Sequence, residues 1–433
     1  MDKYTFNKGL FSFIGGAPTP FHAALGVLDR LMGAGFVRLY EADAWQLGVP
    51  GRYVVVRNDS SLIAFVIGEE DLLQNGFRMF GAHTDSPCLK VKPQPDKVVK
   101  GYHQLGVEVY GGALLNPWFD RDLSLAGRVS YLSKAGVIAD AVIDFKQPIA
   151  VIPSLAIHLD RQANKERTIN AQLHLPPLLA QLDGEKAKPR FNELLLAHLV
   201  EQPSYGDVEK VLDYELYFYD TQPPGYVGLE QQFIASARLD NLLSCYVGLQ
   251  SLLSAGTRHS SMLICTDHEE VGSASFCGAQ GPFLRSVLER ICGDNETLTR
   301  IMDRSVLISA DNAHGIHPNY VDKHDENHGP LLNHGPVIKI NANQRYATNS
   351  ATAALIRLLA EQAGVPLQSF VTRTDMGCGS TIGPITTTEV GVKTLDIGVP
   401  TFAMHSIREL AGSDDGWMLK QLTDAFFQSD RLL

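Results

Sequence analysis

Apolar side chains in the N-terminal part of the chain follow first a helical and then a strand-like spacing. Leucines recur three positions apart within residues 20–31, which predicts an amphipathic helix. Residues 53–57 and 61–67 form two β-rich runs, and the intervening Asn58-Asp59 favours a hairpin between them. A short apolar run over residues 77–82 predicts a buried strand that ends directly on polar residues. This part of the chain is therefore predicted to be mixed α/β.

The pattern changes near residue 93 and stays different until about residue 235. Apolar residues alternate around Leu105 and Val107, glycines punctuate the runs, and residues 215–219 predict a further strand. Residues 160–190 are polar and are predicted to form a long loop. We therefore predict that residues 93–235 form a separate β-rich domain.

Helix and strand patterns alternate again from residue 236 onward. Predicted helices cover residues 239–253 and 351–362, and predicted strands cover residues 261–266, 305–310, 337–341, 369–372 and 393–397. Such alternation is typical of a largely parallel sheet with helices on both faces. The predicted fold class is therefore α/β: an α/β/α sandwich with a mostly parallel central sheet, built from residues 1–92 and 236–433 and interrupted by the β-rich domain 93–235.

Composition and charge exclude several classes of protein. The chain has 433 residues, 45% of them hydrophobic, which is enough for two domains or for one domain with a large insertion. No apolar run is long enough to cross a membrane, and the N-terminus lacks the pattern of a secretory signal. Six scattered cysteines without a CxxC pair favour the reducing cytoplasm. The net charge of −11 argues against nucleic acid as the main partner, and an acidic substrate would need a local cation.

Candidate metal ligands stand where predicted strands end, the edge at which ligand sites form in open α/β sheets. His83 and Asp85 follow the strand 77–82; a zinc-binding histidine usually donates its second ring proton to a carboxylate, which Asp85 would supply. Taken alone, this pair is more typical of an ordinary loop. Asp240 stands near the start of a predicted helix, where capping is a competing explanation. Asp311 follows the strand 305–310.

The segment Asp267-His268-Glu269-Glu270 is the most informative because it places charged residues directly after an apolar strand. Bringing these acids together in a buried place would be costly without a cation. In the functional interpretation, Glu270 binds a metal and Glu269 acts as a general base toward a water. An exposed acidic loop is the alternative, but the preceding strand and the following Gly272 favour a buried edge.

The candidates together offer two nitrogen and three oxygen ligands, the mixture that suits zinc, manganese or cobalt. They are His83, Asp240, Glu270, Asp311 and His405. Five ligands suffice for two divalent ions if one carboxylate bridges them, as in two-metal aminopeptidases. The sequence contains no HExxH helix, no GxSxG elbow and no Walker A loop, so other catalytic schemes fit less well.

Six blocks resemble the aspartyl aminopeptidase family, and the segment SFIGGAPTPFHA (12–23) resembles the N-terminus of that family. The blocks are AHTDSPCLKVKP (82–93), SARLDN (236–241), DHEEVGS (267–273), SADNAHGIHPNY (309–320), KINANQRYAT (339–348) and FAMHSIRE (402–409). They occur in the family's order and spacing and cover the chain from near residue 12 to near residue 420.

The resemblance implies a pair of metal ions, most commonly zinc, with Asp240 as the bridge between them. His83 and Asp311 would complete the ligands of one ion. Glu270 and His405 would complete the ligands of the other.

The resemblance also implies roles for residues that do not bind the ions. Glu269 would be the general base, and Asp85 would orient His83. Residues 93–235 would form a dimerisation domain, from which His158 would reach the partner subunit's active site and help to stabilise the oxyanion. Family members assemble as tetrahedral dodecamers built from dimers.

The expected substrates are peptides with a free N-terminus, preferentially beginning with Asp or Glu. Lys339 and Tyr346 fall in a family-matching block and are the candidate side-chain contacts, although Lys339 can equally be an ordinary strand-end lysine. His317 is a candidate substrate contact, with a metal ligand or a packed imidazole as alternatives. A preference for neutral residues, a dimetal carboxypeptidase or amidohydrolase, and a catalytically inactive oligomeric scaffold are the competing hypotheses.

Overall fold

The computed structural model describes residues 1–182, 190–205 and 207–433, and contacts divide the chain into two compact units. The larger unit contains Met1–Ser86, Pro224–Met404 and Glu409–Leu433. The smaller unit contains Pro87–Pro223 and His405–Arg408. These divisions differ from the predicted boundaries after residues 92 and 235.

Helices and strands alternate through most of the described chain. The α-helices are α1 Lys3–Gly15, α2 Pro20–Gly33, α3 Leu72–Asn75, α4 Ala163–Glu166, α5 Ala171–His174, α6 Phe191–Glu201, α7 Leu239–Ser254, α8 Phe283–Cys292, α9 Asn295–Arg304, α10 Ser350–Ala363, α11 Ile382–Val390 and α12 Asp415–Phe427. The strands are β1 Val37–Leu39, β2 Gly51–Arg57, β3 Ser61–Ile67, β4 Arg78–His83, β5 Cys88–Val99, β6 Tyr102–Tyr110, β7 Leu123–Ser133, β8 Ile138–Asp144, β9 Leu178–Gln181, β10 Val208–Asp220, β11 Gly225–Val227, β12 Phe233–Ser236, β13 Ser261–Thr266, β14 Val306–Ala310, β15 Ala313–His314, β16 Val337–Lys339, β17 Gln368–Phe370, β18 Lys393–Gly398, β19 Pro400–Phe402 and β20 Glu409–Gly412.

The central sheet of the larger unit has, among the described residues, nine strands in the order β1-β2-β3-β13-β4-β14-β18-β16-β17. Its middle strands β13, β4, β14 and β18 run parallel to one another, so their carboxyl ends meet at one edge. Successive side chains of β3 enter different cores: Leu62 packs in the cluster that includes Phe6 of α1, and Ile63 in the cluster that includes Phe283 of α8. The sheet is therefore buried on both faces, and the predicted α/β/α sandwich is confirmed.

The predicted hairpin is present, since β2 and β3 pair antiparallel from Gly51↔Ile67 to Arg57↔Ser61. Asn58 and Asp59 have φ values of 58° and 55°, the left-handed conformation that such tight connections require. Asparagine and aspartate tolerate this conformation better than other residues with a side chain. The local sequence signal was therefore sufficient to locate this turn.

Strand pairing explains where the two units separate. In the smaller unit, β5 pairs antiparallel with β6 and β10, and the described part of this unit forms a six-stranded sheet in the order β8-β7-β10-β5-β6-β9. Strands β11 and β12 fall almost entirely within the predicted β-rich domain, but they pair with each other, and β12 pairs with β20 in the larger unit. Such pairing joins segments distant in sequence, so the local pattern did not reveal it.

Residues 160–190 contain more regular structure than the long loop predicted from their polarity. Helices α4 and α5 and strand β9 lie there, and β9 pairs with β6. Residues 183–189 of this predicted loop lie outside the described residues. Within the described residues, no helix combines the length and the apolar character needed to cross a bilayer.

Helix α7 packs closely against the central sheet at Gly248. A Cβ atom at this position would lie 2.5 Å from Cδ1 of Leu263 and 2.7 Å from Cδ1 of Phe80. We predict that Gly248→Val lowers the free energy of unfolding by about 1–3 kcal/mol, because the added methyl groups overfill this contact. Gly33→Val is the matched control, since a Cβ there meets no heavy atom within 4 Å. Thermal unfolding measures both, and equal midpoints for the two variants would contradict the predicted packing.

Candidate metal centre and side-chain pocket

His83 is the last residue of β4, and its imidazole is almost completely buried. Its Nδ1 lies 3.1 Å from the backbone oxygen of Asp85 and 3.3 Å from Oδ1 of the same residue. Both acceptors favour a proton on Nδ1, which leaves the lone pair on Nε2. Nε2 is therefore the nitrogen of His83 that suits a metal ion.

Carboxylates from three loops surround Nε2 of His83. Asp240 Oδ1 lies at 3.4 Å, Asp311 Oδ1 at 3.7 Å and Glu269 Oε2 at 3.9 Å. The fourth carboxylate belongs to Glu270, since ligand atoms of His83, Asp240 and Glu270 all lie within 4.8 Å of one another. The structure thus brings together these five sequence-predicted residues at the carboxyl edge of the central sheet.

Asp85 is fully buried and accepts hydrogen bonds from the turn that carries both glutamates. Its Oδ1 accepts from the N–H of Glu269 and its Oδ2 from the N–H of Glu270, each at 3.1 Å. The turn starts after His268, which has a left-handed φ of 66°, and continues as the 3-10 helix Glu269–Val271. One carboxylate thus contacts the His83 ring and the backbone of both adjacent glutamates.

Asp240 does not cap helix α7. The φ and ψ angles of Asp240 and Asn241 are non-helical, and the peptide bond between them is cis. The N–H of Asp240 donates to Oε2 of Glu409 at 3.0 Å, and its backbone oxygen accepts from the hydroxyl of Ser86 at 2.6 Å. These contacts fix the backbone of Asp240 beside His83, so the capping alternative from the sequence is not the role that the structure gives this residue.

The crowding of acids changes the pKa of each neighbour. Burial raises the pKa of Glu269 to about 8; His83 opposes this shift, whereas Asp311 and Asp240 add to it. Burial and the nearby Asp240 raise the pKa of Glu270 well above its ordinary value. Burial alone would lower the pKa of His83, but the carboxylates of Asp240, Asp311 and Asp85 raise it well above its usual value. Negative charge is in excess here, and a divalent cation would offset it.

Lys339 brings a positive charge to Asp311 from the end of β16. Its buried Nζ lies 3.2 Å from Oδ2 of Asp311 and 3.1 Å from the backbone oxygen of Asn312. Burial would raise the pKa of Asp311, but Lys339 and His83 hold it well below its usual range. Lys339 is thus a partner of Asp311, whereas the sequence analysis considered it as a substrate contact or an ordinary strand-end lysine.

His405 and His158 belong to the smaller unit. Nδ1 of His405 lies 3.1 Å from the backbone oxygen of Gly112, and a proton donated there leaves the lone pair on Nε2, as a metal ligand requires. His158 is exposed in the segment 152–160. The structure therefore does not group these two sequence-predicted residues with His83 inside the larger unit.

A cavity of about 310 Å³ lies in the larger unit, and two of the predicted substrate contacts, His317 and Tyr346, line it. Lys339 is not among the described lining residues, although its Nζ lies 5.1 Å from the centre of the Tyr346 ring. Other residues that line the cavity are His314, Lys323, His324, Phe370, Arg373, Met376, Gly377, Cys378, Gly379, Phe402 and Met404. This size suits a single side chain or a small ligand.

Sequence reasoning missed several residues of this region. Glu409 binds the N–H of Asp240, and its position in the block FAMHSIRE was the signal available. Arg373 lines the cavity while it pairs with Asp375 and donates to the backbone oxygen of Asp322. The glycine-rich segment 375–383 contributes residues 376–379 to the cavity wall.

Known proteins resemble this chain in sequence and in fold. The family described as Aminopeptidase I zinc metalloprotease (M18) matches residues 13–427. The Probable M18 family aminopeptidase 2 of Azotobacter vinelandii (strain DJ) is 59% identical over 98% of this chain and 99% of its own length. The protein with the same name from Pseudomonas aeruginosa (strain PAO1) is 58% identical over 98% of this chain and 99% of its own length.

Solved structures share the complete fold. A chain in the cryo-EM structure of the Ape4 and Nbr1 complex has a TM-score of 0.94 and 38% identity, and the match covers 98% of this chain and 86% of that chain. A chain in the structure of the S. cerevisiae mApe1 dodecamer has a TM-score of 0.83 and 28% identity, and the match covers 97% of this chain and 96% of that chain. The family match over nearly the whole chain, with these identities, shows that the protein is an aminopeptidase of the M18 metallopeptidase family.

Proposed function

We propose that this M18 aminopeptidase binds two divalent ions, most commonly zinc with manganese or cobalt as substitutes, and releases N-terminal Asp or Glu from peptides. The observation that carries the proposal is the surroundings of His83 Nε2, where Asp240, Asp311 and Glu269 lie within 3.9 Å. A buried group of acids with this composition requires a cation. Oxygen and imidazole ligands suit the proposed metals. The presence of Glu269 in this group argues against an inactive scaffold.

The ligands divide into two sets that share Asp240. His83 and Asp311 would hold one ion together with Asp240. Glu270 and His405 would hold the other. When bound, the metal pair supplies Lewis acidity that polarises the scissile carbonyl and lowers the pKa of water.

Glu269 is the proposed general base. Its side chain is 15% exposed, so it can meet solvent and substrate while its backbone is fixed by Asp85. Its carboxylate would accept the proton of the attacking water and later deliver that proton to the leaving amine. His158 of the partner subunit would donate to the developing oxyanion.

Asp85 is the proposed positioning residue for both halves of this chemistry. It fixes the tautomer of His83 through Nδ1 and orients Glu269 and Glu270 through their N–H groups. Carboxylates that orient a metal-binding imidazole also raise its basicity. The role of Asp85 is thus to hold other groups rather than to touch the substrate.

The cavity would receive the side chain of the N-terminal residue. Lys339 is the proposed partner of an acidic side chain: an ammonium has three N–H donors, and its contacts with Asp311 and Asn312 engage two. Its position 5.1 Å from the Tyr346 ring places it near the cavity wall. The apolar side chains of Phe370 and Phe402 in the same wall favour the alternative, a preference for neutral residues.

The smaller unit is the proposed dimerisation domain, within a dodecamer built from dimers. The structurally similar S. cerevisiae mApe1 is described as a dodecamer. Leu155, Ile157 and Leu159 are exposed in the segment that carries His158, and such apolar side chains favour contact with a partner subunit. All six cysteines are free thiols, which supports a cytoplasmic location.

Substituting Glu269 and Glu270 one at a time separates the role of a general base from the role of a metal ligand. We expect Glu269→Gln to lower kcat about 10²- to 10⁴-fold with the metal content unchanged, because only proton transfer is removed. Glu270→Gln, the matched variant, should lose both activity and bound metal. Hydrolysis of an Asp-p-nitroanilide and elemental analysis measure the two effects. A Glu269→Gln enzyme with wild-type turnover would refute the assigned base.

Removal of the Asp85 charge should weaken metal binding without removing a ligand. Asp85→Asn leaves one acceptor oxygen for the His83 ring and two backbone donors, so we expect an about 10- to 100-fold loss of metal affinity. Competition with a chelator gives the affinity, and excess metal should restore part of the activity. Glu69→Gln, an exposed acid outside the centre, is the control. An unchanged affinity in Asp85→Asn would disprove the positioning role.

The role of Lys339 is tested by the ratio of the kcat/KM values for an Asp and a Leu substrate. We expect Lys339→Met to lower the Asp/Leu ratio of kcat/KM by about 10- to 150-fold, since a charge-assisted hydrogen bond contributes about 1.5–3 kcal/mol. The ratio cancels the general loss caused by leaving Asp311 without its lysine. Arg373→Met, the control, should change the ratio much less because Arg373 is paired with Asp375. If the wild-type enzyme hydrolyses the Leu substrate but not the Asp substrate, the result favours a preference for neutral N-terminal residues instead.

A further inference from the structure

A second group of metal-ligand side chains lies on the other side of the turn that carries the catalytic glutamates. Asp267 and His268 directly follow strand β13, and Cys277 lies in the loop before helix α8. Ligand atoms of these three residues all lie within 4.8 Å of one another. The proposed catalytic chemistry uses none of them.

The distance between the nitrogen of His268 and the sulfur of Cys277 matches the distance expected for two ligands of one ion. Nδ1 of His268 lies 3.5 Å from Sγ of Cys277. Two tetrahedral zinc ligands with ordinary Zn–N and Zn–S bond lengths lie about 3.6 Å apart. The hydroxyl of Ser275 lies 2.9 Å from the same nitrogen and 3.6 Å from the same sulfur, so it adds a polar oxygen beside the pair.

Backbone contacts hold the two segments of this group together. The hydroxyl of Ser61 accepts from the N–H of Asp267 at 2.8 Å and donates to the backbone oxygen of Cys277 at 2.9 Å. Asp267 and Cys277 are buried, whereas the His268 side chain is 25% exposed. The group is therefore preorganised, and His268 provides the side from which an ion can enter.

We propose that Cys277, His268 and Asp267 form a further cation site, separate from the catalytic pair, for a thiophilic divalent ion of the zinc class. Thiolate and imidazole together select zinc-like ions over magnesium or calcium. Because His268 adjoins Glu269, an ion here would also brace the catalytic turn.

Cobalt distinguishes this site from the catalytic centre. The proposed catalytic ligands are all oxygen and nitrogen, so Co²⁺ bound there produces no thiolate charge-transfer absorption. We expect the full-length protein loaded with Co²⁺ to show a near-ultraviolet thiolate-to-cobalt band that added Zn²⁺ removes. The band should vanish in Cys277→Ser, weaken in His268→Gln, and persist in Glu270→Gln, which lacks a catalytic ligand.

Controls make each outcome decisive. Cys292→Ser removes another partly buried thiol and should leave the band unchanged. Circular dichroism checks the fold of Cys277→Ser. Because His268→Gln retains the thiol, a weaker band in that variant shows that the imidazole contributes to the same site. Cobalt binding without a thiolate band in the wild-type protein would overturn the proposal and leave a hydrogen-bonded His-Cys pair. A band that survives in Cys277→Ser would overturn it as well. Neither result would affect the catalytic proposal, which rests on Glu269 and Glu270.

Discussion

The buried carboxylate of Asp85 connects the two segments that carry the candidate metal ligands His83 and Glu270. Its oxygens meet the His83 ring and the N–H groups of Glu269 and Glu270, so the end of β4 and the turn after β13 are fixed by a single group. These strands are parallel neighbours in the sheet, which places both ends at one edge. The orientation of the candidate metal-binding imidazole and of the proposed general base thus depends on one side chain that has neither proposed role itself.

Charge balance is the second constraint on this edge of the sheet. Asp240, Asp311 and the two glutamates surround His83, and within the described part of the larger unit Lys339 offsets Asp311 at 3.2 Å. Burial raises the pKa of Glu269, and the neighbouring Asp311 and Asp240 add to this shift. Divalent ions would stabilise the ionised acids and leave Glu269 able to act as the proposed base.

Several candidate ligands could be located from the sequence because they stand at or shortly after the end of an apolar run. His83 and Glu270 could be located from the strands 77–82 and 261–266, and the fold class followed from the alternation of helix and strand patterns. The individual roles were predicted from the family resemblance, since a single histidine or aspartate can equally be a loop, capping or packed residue. The domain boundaries differed because β12 pairs with β20, which is remote in sequence, and β11 pairs with β12.

The sequence by itself determined the strongly periodic strands and helices, the Asn58-Asp59 hairpin and the types of residue available as ligands, because these depend on local periodicity and side-chain chemistry. Only the tertiary structure decided that Asp240 leaves the helical conformation beside His83, that Lys339 pairs with Asp311, and that Cys277 reaches His268. Each of these facts depends on a contact between different segments of the chain or on a backbone conformation set by its surroundings. Such contacts follow from the packing of the whole sheet, which no local pattern encodes.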